Sequence, residues 1–221
     1  MSAPSQPQGI VVIISAPSGT GKTSLVQQLV QRVEQVEVSV SHTTRSARDG
    51  EIDGTHYHFV DRDHFDQLIA ADDMLEHATV FGNLYGTSSS FVAERVASGN
   101  DVILEIDWQG AAIARRKLKR VVSIMILPPS QEALSQRLSA RGKDSDEVIA
   151  RRLDEATLEM SHHAEFDYLV VNDQFERALR ELCAIVRAER LRGPRQQQQL
   201  GNLLDDLLEP RPAPLSDAIN A

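Results

Sequence analysis

The segment Ala16-Pro17-Ser18-Gly19-Thr20-Gly21-Lys22-Thr23 holds residue types at a spacing that can grip phosphate. It fits the pattern G-x-x-x-x-G-K-[ST] at every position but the first, where Ala16 stands for glycine. Gly19 and Gly21 let the backbone curl so that successive N–H groups point inward at phosphate oxygens. Lys22 reaches the outer phosphates as a point charge, and Thr23 offers a hydroxyl to Mg²⁺ carried with them. Ser24 continues into a helix whose positive end adds to the grip. The context is the one the pattern requires, because a strand-like run, Ile10–Ser15, precedes it and an amphipathic stretch with Leu25, Leu29 and Val33 follows. Ala16 costs little, since a small residue serves wherever its dihedrals are helical or extended.

A second pair of chemical groups ends another apolar run. In Val102-Ile103-Leu104-Glu105-Ile106-Asp107 the two carboxylates are two residues apart, so on a regular strand they share a face. Carboxylates ending an apolar strand are costly unless they meet a cation or hydrogen-bond donors. In open α/β sheets such groups gather at the carboxyl ends of strands, where ligands bind.

The elements that must position these groups alternate. Compact apolar runs at Ile10–Ser15, Val36–Ser41, Val102–Ile106, Val121–Leu127 and Tyr168–Val171 predict strands buried on both faces. Helical patterns fall at Lys22–Val33, Gln109–Lys117, Ser130–Arg141, Ser145–His163 and Phe175–Arg190. That rhythm predicts a five-stranded parallel sheet flanked by helices, an α/β fold. His42–Ser98 breaks it with turn signals and the alternating run His56–Val60, and reads as an inserted, partly β lobe. Leu138–Asp154 reads as a second candidate lobe. After Gly193-Pro194 a glutamine run leads to the stripe Leu200, Leu203, Leu204, Leu207 and Leu208, a helix expected to pack on the body or on a second subunit. A Pro-rich end follows, expected to be disordered.

Composition sets bounds on function. The chain has 221 residues, 41% apolar and 25% charged, enough for one sizeable core. No run is long and apolar enough to span a membrane, and the polar Met1–Gln8 has no signal-peptide pattern. Cys183 is the only cysteine, which excludes an intramolecular disulfide and points to a reducing cytoplasm. A formal net charge of −9 argues against a general binder of nucleic acid or membrane surfaces. It leaves room for small anionic ligands, because distant charges are screened and local arginines decide. His56, His58, His162 and His163 have no cysteine or carboxylate spacing to complete a zinc site, and read as ordinary residues.

Taken in order, the segments SAPSGTGKT, SVSHTTR-x-x-R-x-GE, GTHYHFV, LEHATVFGNLYGTS, ILEIDWQG, ILPPS, RLSARG and VND resemble those of bacterial guanylate kinases from about Gly9 to Arg192. The resemblance implies a P-loop nucleoside monophosphate kinase in purine nucleotide metabolism, using ATP and Mg²⁺ to convert GMP to GDP, with dGMP as a further acceptor. It implies a flexible start at 1–8 and a core at 9–38, 99–137 and 155–192. The acceptor lobe is placed at 39–98, the lid at 138–154, and a helix with a disordered tail at 193–221. By this resemblance Ser41, Glu76 and Thr87 read the base. Guanine offers two adjacent donors, N1–H and N2–H, which one carboxylate accepts together, beside an O6 that hydroxyls can serve. Arg45, Arg48, Tyr57 and Tyr85 match the cradle for the acceptor phosphate, with Glu105 and Asp107 beside it and Asp107 able to hold Mg²⁺ through water. Glu105 stands where the family usually has aspartate. Lys22, Arg45, Arg137, Arg141 and Arg152 match the catalytic set, Asn172 is placed near the adenine, and Arg151 reads as surface. Two other readings stay open on residues alone: a kinase for another phosphorylated acceptor, and a peptide-binding scaffold of the same fold.

Overall fold

A computed structural model describes residues 8–80, 82–118, 120–140 and 145–209. From the start of the chain, β1 (Val11–Ser15) leads into α1 (Lys22–Arg32) and β2 (Val36–Val38). The short strands β3 (His42–Thr43) and β4 (His58–Phe59) precede α2 (Arg62–Ala70), and the hairpin β5 (Met74–Val80) and β6 (Asn83–Ser88) precedes α3 (Ser89–Ala97). There follow β7 (Asp101–Leu104), α4 (Trp108–Lys117), β8 (Val121–Leu127), α5 (Gln131–Ser139) and α6 (Asp146–Ser161). A single 3₁₀ turn (His163–Glu165), β9 (Tyr168–Val171), α7 (Phe175–Arg190), α8 (Gly193–Gln199) and α9 (Gly201–Leu208) complete the described chain.

Two sheets divide the work. The core sheet runs β2-β7-β1-β8-β9 with all neighbours parallel. In β1, Val12 and Ile14 join a cluster with Leu25 and Leu29 of α1 and Leu179 and Leu182 of α7. Val11 and Ile13 face the other way, into a cluster with Val92, Ala111 and Ala114 from α3 and α4. This alternation explains why the strand reads as an unbroken apolar run: both of its faces are inside. β1 is flanked by β7 and β8, so the chain leaving its carboxyl end emerges between the two halves of the sheet, where such folds bind ligands. The second sheet, β4-β3-β6-β5, has a much smaller core of Phe65, Met74 and Leu84.

The predicted strands Val121–Leu127 and Tyr168–Val171 and the helix Phe175–Arg190 fall as expected. Val36–Ser41 does not form one strand. β2 stops at Val38, Ser39 N–H still bonds Ile103 O at 2.9 Å, and the chain then crosses to the second sheet, where Ser41 O accepts from His58 N–H. Val102–Ile106 is shorter too: pairing ends at Leu104, because Asp107 turns the chain into α4 as its N-cap. The helix predicted over Ser130–Arg141 runs Gln131–Ser139, capped by Ser130. The leucine stripe is split at Leu200 into α8 and α9, and Leu203, Leu207 and Leu208 stand exposed on α9. The first seven residues and the Pro-rich end lie outside the described residues, as does Arg141.

Candidate active site

The phosphate loop is held from beneath. At the end of β1 the fully buried Ser15 donates through Oγ to Ile106 O at 2.7 Å, joining the loop's origin to the segment that carries Glu105 and Asp107. Ala16, in the position where the pattern has glycine, is buried in the core cluster beside α1, which is a place for a small apolar side chain. Gly19 and Gly21 have φ of 92° and 88°, the left-handed region that disfavours other residues. A Cβ on Gly21 would also stand 2.9 Å from Asn172 Nδ2. That amide donates to Thr20 O at 2.6 Å, while Thr20 Oγ1 donates to Pro17 O at 2.7 Å, so side chains satisfy the outward carbonyls of the curl. No side chain caps α1, and the N–H groups of its first turn, from Lys22 onward, are left for a ligand.

Helices α5 and α6 reach the same loop. Leu134 and Leu138 of α5 stand beside Gly19. Arg137 Nη2 donates to Asn172 O at 3.0 Å, and Arg152 Nη2 of α6 donates to Ser18 Oγ at 2.7 Å. Two of the predicted lid arginines are thus at the loop. Arg151 instead lies in an exposed pair with Glu155 on its own helix. Asn172, expected near the adenine, lies behind the loop as its brace.

Lys22 lies among carboxylates. Burial pushes the Glu105 carboxyl above the usual range while Lys22 pulls it down. Glu159, two turns after Arg152 on α6, is raised by burial and by Asp107 and lowered by Lys22, and its Oε1 lies 3.3 Å from Ser15 Oγ. Asp107 uses Oδ1 to accept from Gly110 N–H at 2.8 Å as the cap of α4. Thr23 is exposed at the start of α1, so a hydroxyl and an exposed carboxylate offer the hard oxygen donors that Mg²⁺ prefers.

On the second sheet three base-reading candidates form one row. Glu76 pairs in register with Thr87, and continuing the β3–β6 register by one residue brings Ser41 opposite Thr87. Residues directly opposite on neighbouring strands present side chains to the same face. Thr87 Oγ1 donates to Glu76 Oε1 at 2.7 Å, and both residues are buried. Burial pushes the Glu76 carboxyl up, Thr87 opposes this, and Asp107 adds to it. Nearby, Arg45 makes a two-pronged pair with Glu51 at 2.9 and 2.8 Å, its guanidinium 5.5 Å from the Tyr57 ring. Tyr85 packs edge-on against Tyr57 with ring centres 5.8 Å apart and also touches Arg45. The Arg45 pair and the Arg48 N–H hold the Glu51 carboxyl down at about 2. Arg48 itself is exposed. Burial raises the Tyr57 hydroxyl above its usual range.

Other features lie apart from this chemistry. Among the described residues no cluster of three histidine, cysteine or carboxylate side chains is arranged to hold a metal. His42 stacks on His58, His56 accepts from Ile52 N–H, and His162 stacks on Trp108 with ring centres 3.5 Å apart. A cavity of about 1000 Å³ opens at the amino ends of the strands, lined by residues such as Gly9, Leu75, Val96, Leu118 and Arg195. It is at the wrong end of β1 for phosphate binding, which the loop geometry decides. Among the described residues no helix is long and apolar enough to cross a membrane.

Sequence reasoning missed three residues here: Glu51, Glu159 and Gly110. Glu51 had a signal, because a carboxylate six residues after Arg45 in a turn-rich loop can fold back on it. Glu159 had none, since its contact with Ser15 joins residues far apart in the chain.

Comparison with known proteins agrees with this geometry. The family model described as guanylate kinase matches residues 8–189. A guanylate kinase of Alkalilimnicola ehrlichii is 57% identical, covering 90% of this chain and 98% of that one. One from Escherichia coli K12 is 54% identical, over 91% of this chain and 98% of its own. Among solved structures, guanylate kinase from Anaplasma phagocytophilum superimposes with a TM-score of 0.73 at 37% identity, covering 93% of this chain and 96% of that one.

Proposed function

The chain belongs to the guanylate kinase family and is a nucleoside monophosphate kinase that moves the γ-phosphoryl of ATP to GMP; from that premise we propose how its residues divide the work. Residues Ala16 to Ser24 seat the ATP phosphates, with Lys22 on the oxygens that gain charge during transfer. Arg137 and Arg152 come from the lid to the same phosphates, and Arg141 belongs with them by its place in the segment RLSARG. Arg45, Arg48, Tyr57 and Tyr85 hold the GMP phosphate in line. No protein nucleophile is needed, because phosphoryl transfer rests on positioning and on neutralising charge. Mg²⁺ arriving with ATP would be held by Thr23 and, through water, by Asp107, and would supply charge neutralisation there. Asn172 serves the adenine end by fixing the loop.

The observation that carries the acceptor assignment is the row Ser41, Thr87 and Glu76. A buried carboxylate at the end of a row of two hydroxyls answers guanine's N1–H, N2–H and O6 together. Adenine lacks the donor pair and would leave Glu76 unpaired, a penalty of the kind that gives about 10⁴-fold discrimination. The 2′-hydroxyl is not part of this edge, so dGMP is accepted as well. ADP release measured with GMP, dGMP, AMP, UMP and ribose phosphates tests the reading. Turnover confined to GMP and dGMP is expected, and equal turnover of AMP would refute it. The buried lone thiol of Cys183 supports a reducing cytoplasm, and the exposed leucines of α9 support pairing with a second copy. A single-chain mass in light scattering at micromolar concentration would remove the second of these.

A further inference from the structure

Helix α4 connects the two halves of the site, and it does so with its smallest residues. Gly110, Ala111 and Ala114 form its buried face, and Ala111 and Ala114 pack with Leu75 of β5. At the far end of the helix, Lys117 Nζ donates to Met74 O at 2.6 Å. The near end is Gly110. Its N–H donates to Asp107 Oδ1, and a Cβ placed on it would stand 3.2 Å from Ile106 Cβ, 3.3 Å from Glu76 Oε2 and 3.4 Å from Asp107 Oδ1. The first two separations are tighter than ordinary van der Waals contact for a methyl group. One oxygen of Glu76 therefore borders the bare backbone of α4, while the other is tied to Thr87.

We propose that Gly110 is a positioning residue for base recognition: its missing side chain leaves the room in which Glu76 presents both carboxylate oxygens to guanine. The proposal rests on Glu76 reading the base. A methyl at 110 must displace Oε2 by a few tenths of an ångström, and because Thr87 restrains Oε1 the carboxylate rotates rather than slides. Two parallel hydrogen bonds to N1–H and N2–H tolerate such a rotation poorly, since recognition geometry must hold within about 0.5 Å and 10–20°. Glycine is also the poorest helix former after proline, so helix propensity gives no reason for it in the first turn of α4.

The test is Gly110→Ala, read in three ways. The kcat/KM for GMP should fall roughly 5–10-fold while KM for ATP stays within about twofold, the size of loss expected from a sub-ångström misplacement. The thermal midpoint should hold or rise, because alanine favours the helix. In a Glu76→Gln background the same substitution should cost nothing further, because the carboxylate it displaces is gone. A lowered midpoint with equal losses for GMP and ATP would mark Gly110 as a packing residue and overturn the proposal. So would unchanged GMP kinetics, or a full further loss on top of Glu76→Gln. If Glu76→Gln itself leaves GMP selectivity intact, the base-reading assignment falls and this inference with it; if Glu76→Gln is selective and Gly110→Ala is silent, this inference falls alone.

Discussion

The donor and acceptor ends of the site are built from different materials. The phosphate loop is backbone, bent by Gly19 and Gly21 and fixed by Thr20 and Asn172, and it rises from a strand buried on both faces. The acceptor side is made of side chains on a small sheet whose core is little more than Phe65, Met74 and Leu84. Its polar groups are already paired with one another, Arg45 with Glu51 and Thr87 with Glu76. On the proposed assignment the loop offers the first N–H groups of α1 to phosphate with no side-chain cap to displace. The acceptor side must exchange internal partners for substrate groups, and only a substrate that replaces every lost bond recovers the cost. The proposed assignment puts the grip on the transferred phosphoryl at the first end and selectivity at the second.

Substitutions at the two ends should separate along that division. Lys22→Met removes the one side-chain charge the loop commits to the phosphates, and kcat should drop about 10³-fold in steady-state assays. A variant retaining most of its kcat would erase the contrast. Arg45→Ala, on the acceptor side, should lower kcat/KM for GMP about 10²-fold with KM for ATP little changed, a split readable from initial rates at varied GMP and varied ATP. Asn172→Ala leaves Thr20 O without its donor. The expected loss is about 2 kcal/mol, seen as a thermal midpoint lower by roughly 4–8 °C together with weaker ADP binding. If instead ADP binding weakens at an unchanged midpoint, Asn172 touches the nucleotide rather than bracing the loop.

The same division explains what could be read from the sequence. The loop was legible because its function needs residue types at fixed spacing along one continuous stretch, and the buried strand before it is an unbroken apolar run. The acceptor side was legible only through ordered resemblance. Glu76 and Thr87 lie on β5 and β6 and Ser41 just before β3, and only the register of these strands makes them a row. Where local pattern competed with tertiary demand, the pattern lost: Val36–Ser41 looks like one strand, but it is shared between two sheets. Glu159 and Gly110 matter through contacts between separate elements, with Ser15 and Glu76 respectively, which no spacing within either element encodes.

The smallest expected effect is on pH dependence, and it distinguishes the ends again. Burial raises the Glu76 carboxyl above its ordinary value of 4.5, and the proposed contact with guanine uses the ionised form. As pH falls toward that raised value, kcat/KM for GMP should decline before KM for ATP moves. The stability effect has the opposite sense. A carboxyl whose folded-state pKa exceeds its unfolded value favours the fold at low pH, and that contribution is lost as pH rises through the folded value. Glu76→Gln should therefore raise the thermal midpoint at neutral pH, an effect absent at pH 4 or below. A midpoint lowered at neutral pH would mean that the ionised carboxylate supports the fold.

The most direct test of the whole account is the nucleotide selectivity of Glu76→Gln, measured as kcat/KM for GMP, AMP and ATP in one set of ADP-release assays. An amide in place of the carboxylate should cut kcat/KM for GMP about 10³-fold, leave ATP within about threefold and narrow the gap between GMP and AMP. Equal losses for GMP and ATP, or an undiminished preference for GMP over AMP, would contradict it.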